Sequence, residues 1–439
     1  MDFLSTCDMI SIVKKRLYII SPCRNEDIWR KRRATFVLPQ MSLAILAALT
    51  PDRFQVKVTD ELVDDIDFDY PADLVAISTN STNAPRAYEV AKRFREKGSR
   101  VIMGGIHPSV MPDEVLQHAD ALLIGEAEEM WQKILDDFLS GSLDRIYRCE
   151  AYPAPESIPS GKWEVIHQKR YYVPRTFQTS RGCPYGCSFC SSTQFFGTKQ
   201  RSRPIESIIS ELKGYNGRLA VFIDDNIAGN NTYAKELFRA LKPLKQRWVA
   251  QSSIDIARDN ELLRLAAESG CAGLLIGFES VNARNSADVK KLRKAEQYAD
   301  HVREIRAAGI GVHGSFIFGF DHDTPDIFDS TVDFVMNNRL EVANFCKLTP
   351  FPGTKLFEEM SAEGRILHRN WEKYDRYHIV FRPKNISAEE LHQKTLEAYM
   401  KTYSLGSILK RMPSKIQNIL PYFAMNISYR LGSKRLRRS

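Results

Sequence analysis

The chain has 439 residues, 43% of them apolar and 26% charged, the balance of a globular protein of about two to four domains. That excludes a largely disordered chain, a collagen-like repeat and a small disulfide scaffold, and no apolar run approaches the roughly 18 to 20 residues that cross a bilayer. The net charge of +8 belongs to the end of the chain: residues 401–439 hold nine Lys/Arg and no Asp or Glu, and the rest holds 53 basic against 54 acidic residues.

Residues 1–10 have no basic region leading into an apolar core, so no secretory signal is expected and the location reads as cytoplasmic. In that setting the eight cysteines read as thiols or metal ligands before disulfides. Strand signals at 16–21, 54–59, 73–78, 101–103 and 121–124 alternate with helical spacing at 38–49, 87–98, 112–118 and 126–139. This rhythm predicts an α/β fold over residues 1–150, a doubly wound (Rossmann-like), mainly parallel sheet covered by helices. Ligands of such sheets sit beyond the carboxyl ends of the strands. Those ends carry Ser78-Thr79-Asn80-Ser81-Thr82-Asn83, Gly104-Gly105-Ile106-His107 and Gly125-Glu126-Ala127-Glu128. Small residues there let a large planar or phosphate-bearing ligand approach the backbone.

Pro153, Pro155 and Pro159 mark residues 151–172 as a linker. Six β-then-α units follow over 173–387. Their strands are expected at 175–179, 219–223, 249–252, 273–278, 313–318 and 344–348, with helices such as 205–213, 233–241, 261–269 and 295–308. The pattern predicts a partial (β/α)6 TIM-like barrel with its site at the carboxyl ends, and a helical region with a basic tail over 388–439. Gly309-Ile310-Gly311-Val312-His313-Gly314 spells a dinucleotide fingerprint, but it follows a helix and enters a strand, the reverse of the required order.

The strongest signal is Arg181-Gly182-Cys183-Pro184-Tyr185-Gly186-Cys187-Ser188-Phe189-Cys190, just after the first barrel strand. Three thiolates on so short a loop suit one face of a cubane iron–sulfur cluster and leave its fourth iron open. Structural zinc wants four closed ligands. Cys7, Cys23, Cys149, Cys271 and Cys346 are isolated, so zinc would need a distant histidine.

This run, with Phe189 before its third cysteine, resembles the signature of the radical S-adenosylmethionine (SAM) enzymes. The resemblance implies a [4Fe-4S] cluster on Cys183, Cys187 and Cys190, whose open iron chelates SAM. It also implies an electron donor such as flavodoxin or ferredoxin, and a 5′-deoxyadenosyl radical that takes hydrogen from a substrate. By the same resemblance Asp224 and Asp225 stand where Gly-Gly-Glu usually binds the SAM amino group. Glu279 and Ser280 would meet the ribose, Ser252 would help, and Ile317 and Gly319 would pack the adenine.

The αβ domain ahead of the barrel resembles the cobalamin-binding class of these enzymes, over about residues 16–403. That implies Thr79, Ser81, Thr82, Gly104, Gly105, Gly125 and Glu126 around cobalamin. The D-x-H-x-x-G motif is absent, so His107 is read as a turn histidine bonded to backbone rather than as a cobalt ligand. The reaction implied is C-methylation of an unactivated carbon in a small-molecule, lipid or pigment substrate. A radical cyclase or rearrangement enzyme and a non-enzymatic iron–sulfur sensor are the alternatives. A methylthio-transferring enzyme would call for a second cysteine triplet near the N-terminus. Tyr185, Phe195, Phe196 and His313 are candidates to face the substrate.

Residues 403–430 mix Leu, Ile, Met, Phe and Tyr with Lys and Arg. Pro413 and Pro421 argue against one straight helix. The segment is expected to pack a few apolar residues on the barrel. Peripheral contact with an anionic membrane is the alternative, and nothing points to nucleic acid.

Overall fold

In β1 (Lys15–Ser21) alternate residues serve different cores: Leu17 and Ile19 enter one apolar cluster, Tyr18 and Ile20 another, and all four are fully buried. A strand covered on both faces has no polar side to show, which is why it reads as an unbroken apolar run. It lies in an all-parallel sheet with β2 (Phe54–Asp60), β3 (Leu74–Ser78), β4 (Arg100–Gly104), β5 (Ala121–Ile124) and β6 (Ile146–Arg148), in the order β2-β1-β3-β4-β5-β6. Helices α1 (Met41–Leu49) and α5 (Trp131–Ser140) cover one face. Helices α2 (Ala84–Glu96) and α4 (Pro112–Val115) cover the other, while the short α3 (Ile106–Val110) follows the carboxyl end of β4. The strand order reverses between β1 and β3, where a crevice opens at the carboxyl ends. The sequence pattern missed β6, a three-residue edge strand with only Tyr147 buried. The computed structural model describes residues 14–24, 37–290, 297–413 and 416–436. The readings at 1–10 and Cys7, the start of the helix expected from 295, and the basic residues 437–438 lie outside these.

The proline-rich segment 151–172 is not a free tether. Trp163, Ile166 and Tyr171 are buried in the core beneath α1 and α5. A short antiparallel hairpin, β7 (Ser180–Arg181) with β8 (Arg201–Ser202), then brackets the cysteine loop and α6 (Ser191–Phe196). The second parallel sheet runs β13-β12-β11-β10-β9, with β9 (Ala220–Val221), β10 (Trp248–Ser252), β11 (Cys271–Glu279), β12 (Gly311–Phe318) and β13 (Val342–Lys347). The strand expected at 175–179 is reduced to a parallel bridge of Phe177 to Phe222. The reason is local: the Thr179 N–H turns to the Asp224 carboxylate at 3.1 Å instead of to a neighbouring strand. Six parallel positions result, the partial barrel. Helices α7 (Ile205–Lys213), α8 (Asn231–Leu241), α9 (Asn260–Glu268), α10 (Tyr298–Ala307), α11 (Ile327–Asn337) and α12 (Lys355–Ala362) occupy its crossovers and the loop after β13. On β12, Val312, Phe316 and Phe318 belong to the apolar core. The alternate residues Gly311, His313, Ser315 and Ile317 are half-buried on the opposite face. Gly309 closes α10 with φ +81° and leads into β12, as its order in the sequence predicted.

The open edge of the barrel is closed by side chains. Helix α13 (Ala388–Thr402) sends out Tyr399, and Tyr403 follows it one turn later. The Tyr403 hydroxyl accepts from the Ala343 N–H at 3.0 Å and donates to the Ala343 carbonyl at 2.6 Å. The Tyr399 hydroxyl accepts from the Phe345 N–H at 3.0 Å and lies 3.0 Å from the Phe345 carbonyl. Residues two apart on an edge strand point their backbone groups the same way, and residues four apart on a helix share a face. The two spacings match, so two phenols stand in for a missing strand and blunt the edge. Arg411, after α14 (Leu405–Lys410), donates to the Leu340 carbonyl at 2.7 Å. Asn426 of α15 (Ile416–Leu436) donates to the Glu341 carbonyl at 3.0 Å. As expected the segment is not one helix, since α14 ends at Lys410 ahead of Pro413, but Pro421 makes no break and α15 runs through it. The proline is its sixth residue and exposed, where little more than one early hydrogen bond is lost. No helix among the described residues is long and apolar enough to cross a membrane.

Candidate functional site at the domain junction

The cysteine loop is shaped by its glycines. Gly182 and Gly186 have φ of +89° and +60°, and a Cβ at Gly182 would stand 2.6 Å from the Lys199 carbonyl oxygen. Cys187 is buried, and Cys183 and Cys190 are partly exposed. Cys190 donates its N–H to the Cys187 carbonyl at 3.1 Å and starts α6. Among the described residues no three His, Cys, Asp or Glu side chains converge to ligate one ion. A cubane instead spreads its thiolates over separate irons, and three thiols on one tight loop form the donor set it uses. Phe189 packs edge-on against Phe320, with ring centroids 5.7 Å apart. The Tyr185 hydroxyl lies 3.1 Å from Ser253 Oγ and donates to Asp255, which ties the loop to the end of β10.

The two adjacent carboxylates after β9 differ. Asp224 is buried and accepts the Thr179 N–H together with the Thr179 and Ser180 hydroxyls at 2.6 and 2.7 Å. Burial pushes its carboxyl up in spite of these donors. The role expected of it, receiving an ammonium, meets a carboxylate already engaged in holding the first barrel position. Asp225 faces the cysteine loop, accepting the Gly182 N–H at 3.3 Å and the Ser192 hydroxyl, and burial raises its carboxyl as well. Ser252 is buried beside Asn226. Glu279 ends β11 at φ +62°, a left-handed conformation rare for a residue with a side chain, at an irregularity in the β11–β12 register. Ser280 accepts from Asn285 Nδ2 at 2.9 Å, and the same amide reaches Asp323 at 2.8 Å. Asp323 also accepts the Gly319 and Phe320 N–H groups at 2.9 and 3.1 Å. Burial lifts its carboxyl to about 6. Ile317 precedes that turn on the half-buried face of β12.

Three amide atoms near these strand ends, Gln200 Oε1, Asn226 Nδ2 and Asn285 Oδ1, are buried without a partner. Native interiors rarely leave such atoms unsatisfied, and they fit a ligand as rich in donors and acceptors as SAM. The sequence reading passed over Gln200, Asn226, Asn285 and Asp323, since only Asn226 adjoins a motif it had marked.

In the N-terminal domain Gly105 has φ +108°, and a Cβ there would stand 2.5 Å from the Thr79 carbonyl oxygen. Gly104 lies beside it in the same strand-end turn, and a Cβ there would meet only ordinary contacts. Gly125 has φ +93° and donates its N–H to Ser109 Oγ at 2.9 Å. Thr79 Oγ1 is buried without a partner, and Thr82 is tied to Asn80 Oδ1 at 2.7 Å. Close backbone and a free hydroxyl at the strand ends fit a cobalamin cradle. Ser81 and His107 are bonded to each other at 3.2 Å. His107 is fully buried against Tyr88 at 2.9 Å and the Trp371 ring, so its partners are side chains rather than the backbone expected.

Glu126 is held by the barrel. Its carboxylate pairs with Arg181 and Arg201, while Arg181 also reaches Glu128 at 2.8 Å. Arg181 immediately precedes Gly182 and Cys183, and Arg201 is its partner across the β7–β8 hairpin. A buried two-by-two ion cluster thus fastens the strand-end loop after β5 to the root of the cysteine loop. Phe196 stacks over Arg181 at 5.7 Å and meets Phe195 edge-on at 4.8 Å. His313 lies near the start of β12 beside Tyr429 of α15, with Nε2 unpartnered and burial holding it down to about 4. That is the opposite end of β12 from the loops described above, so His313 does not join them in facing a substrate, as had been expected of it.

Two family models match in chain order: the B12 binding domain over residues 31–135 and the Radical SAM superfamily over residues 177–335. The bacteriochlorophyllide d C-12(1)-methyltransferase of Chlorobaculum tepidum is 33% identical over 391 residues, covering 86% of this chain and 85% of that protein. The bacteriochlorophyllide d C-8(2)-methyltransferase of the same organism is 31% identical over 410 residues, covering 88% and 90%. In fold, the chain is similar to the cobalamin-dependent S-adenosylmethionine radical enzyme OxsB with aqua-cobalamin bound, with a TM-score of 0.71 over 97% of this chain and 72% of that one at 16% identity. With the thiol loop, the strand-end cradle and these relatives together, the chain belongs to the cobalamin-binding family of radical SAM enzymes, whose cofactors are a [4Fe-4S] cluster, SAM and cobalamin.

Proposed function

We propose that this enzyme transfers a methyl group to an unactivated carbon of a pigment- or lipid-class small molecule, in the cytoplasm, drawing electrons from a flavodoxin or ferredoxin. The observation that carries the reading is the junction itself: the residue preceding Gly182-Cys183 is bonded to the loop that ends β5 of the cobalamin-binding domain. When bound, the cluster and SAM supply a hydrogen-abstracting radical and cobalamin supplies the methyl group.

The chain's own residues do the positioning. Cys183, Cys187 and Cys190 hold the cluster through thiolates. Asp225, beside the loop and not locked as Asp224 is, receives the SAM ammonium, and the orphaned amides of Asn226 and Asn285 take other polar groups of SAM. Glu279 and Ser280 meet the ribose, while Ile317 and the Gly319 turn bound the adenine. Thr79, Gly104, Gly105 and Gly125 carry cobalamin close to their backbone. The Arg181–Glu126 cluster excludes water between the two sites and fixes their separation, a condition for two cofactors to act on one carbon.

The test is anaerobic purification with added cobalamin, quantification of iron, sulfide and cobalt per chain, and incubation with methyl-labelled SAM and chlorophyllide-type or isoprenoid candidates. Four irons, one cobalt and label in a product support the reading. Release of 5′-deoxyadenosine and a changed product without label would move it to a cyclase or rearrangement enzyme.

A further inference from the structure

Helix α15 carries two apolar stripes on opposite sides. Tyr422, Asn426, Tyr429 and Ser433, spaced four, three and four residues, face the barrel, and Met425 and Tyr429 pack on its core. Leu420, Ala424, Ile427 and Leu431 repeat the same spacing half a turn away and face outward. Leu420 is 80% exposed, Leu431 53% and Ile427 39%. Just before them, Leu405 and Leu409 lie one turn apart on α14 with 57% and 63% exposed, and Met412 follows at 42%. Six of the twelve exposed large apolar side chains among the described residues therefore fall between 405 and 431. Scattered exposed leucines need no explanation, but a helical stripe of them does.

The segment that carries this face has charges of one sign in its sequence. Residues 401–439 contribute nine Lys/Arg and no Asp or Glu, among them the exposed Lys410. Arg411 is buried as a clasp on the barrel edge, Lys401 pairs with Asp329 and Arg430 donates to the Tyr403 carbonyl, so Lys410 is the described cation beside the leucines and the rest of the basic excess is read from the sequence. A second copy of this chain would bring the same excess of positive charge against itself. A nucleic acid would answer the charge and leave the leucines in water. A surface that takes apolar side chains a few ångströms deep and is itself negative answers both. We propose that the α14–α15 face docks on an anionic lipid bilayer surface, lying on it without crossing it. The face stands apart from the cofactor sites, so its occupant is independent of the reaction proposed above.

The experiment is flotation of the full chain with vesicles of phosphatidylcholine, with and without phosphatidylglycerol, for wild type and Leu420→Glu/Ile427→Glu. Both positions are solvent-facing, so the fold is retained, which thermal unfolding and light-scattering mass verify. The expected result is binding to the anionic vesicles, none to phosphatidylcholine alone, and at least tenfold weaker binding by the double variant. Raised salt should also weaken binding, since each basic residue at such a surface is worth roughly fivefold. Binding unchanged in the double variant, or absent from anionic vesicles, overturns the proposal. So does a dimer in solution that the double variant dissociates, which would make the face a self-interface.

Discussion

Replacing Arg181 by methionine tests whether the junction cluster holds the two domains in register. The side chains of Arg181, Glu126, Glu128 and Arg201 are 7%, 3%, 3% and 9% exposed, so solvent does little to screen them. In the Arg181→Met variant Glu126 keeps Arg201. Glu128 loses its one ion pair among the described residues, the 2.8 Å contact to Arg181. A buried charge left without its partner costs about 3–5 kcal/mol, whereas replacing both partners by apolar groups is often near neutral. Arg181→Met should therefore lower stability by about that amount, and Arg181→Met/Glu128→Met should recover most of it. Urea unfolding followed by fluorescence reads the energies as a double-mutant cycle. Iron retained per chain reads the consequence for the adjoining cysteine loop. A single variant within about 1 kcal/mol of wild type, or a double variant no better than the single, would refute the reasoning.

Tyr403→Phe leaves the buried Ala343 N–H and C=O of β13 unpaired, and Tyr399→Phe the Phe345 N–H and Asn344 Oδ1, and each should cost about 1–3 kcal/mol. Faster exchange of the Phe345 or Ala343 amide checks it. Asp323, raised by burial to about 6, binds its proton more tightly folded than unfolded. Its contribution is therefore full below about pH 4 and falls as pH rises through about 6, by about 3 kcal/mol. Asp323→Asn should flatten that part of the stability profile, and an unchanged slope would contradict it. Gly105→Ala drives a Cβ toward the Thr79 carbonyl, now 2.5 Å from that position at φ +108°. Metal analysis should show lost cobalt with iron unchanged. Alanine at Cys183, Cys187 or Cys190 should abolish the cluster's visible absorbance and SAM cleavage while the apoprotein's thermal unfolding persists. Full SAM cleavage in any one of them would remove that ligand.

What the sequence by itself determined were the features that depend on near neighbours along the chain. Unbroken apolar runs at 16–21 and 73–78 meant strands covered on both faces, and those strands are parallel and doubly covered. The placing of three cysteines on one eight-residue loop, and of glycines at the ends of β4 and β5, was legible because it depends only on spacing along the chain. The tertiary structure alone decided which donor meets which acceptor. A carboxylate after a strand looks the same whether a ligand or an arginine awaits it. Asp224 was taken by Thr179 and Ser180 from 45 and 44 residues away, and Glu126 by Arg181 from 55 away. Tyr399 and Tyr403, which the sequence placed only within a helical region, meet a strand edge 54 and 60 positions earlier. Periodicity records which side of an element is buried. The partner across the interface is set by how the two domains and the C-terminal helices pack, where each buried polar atom must find its complement.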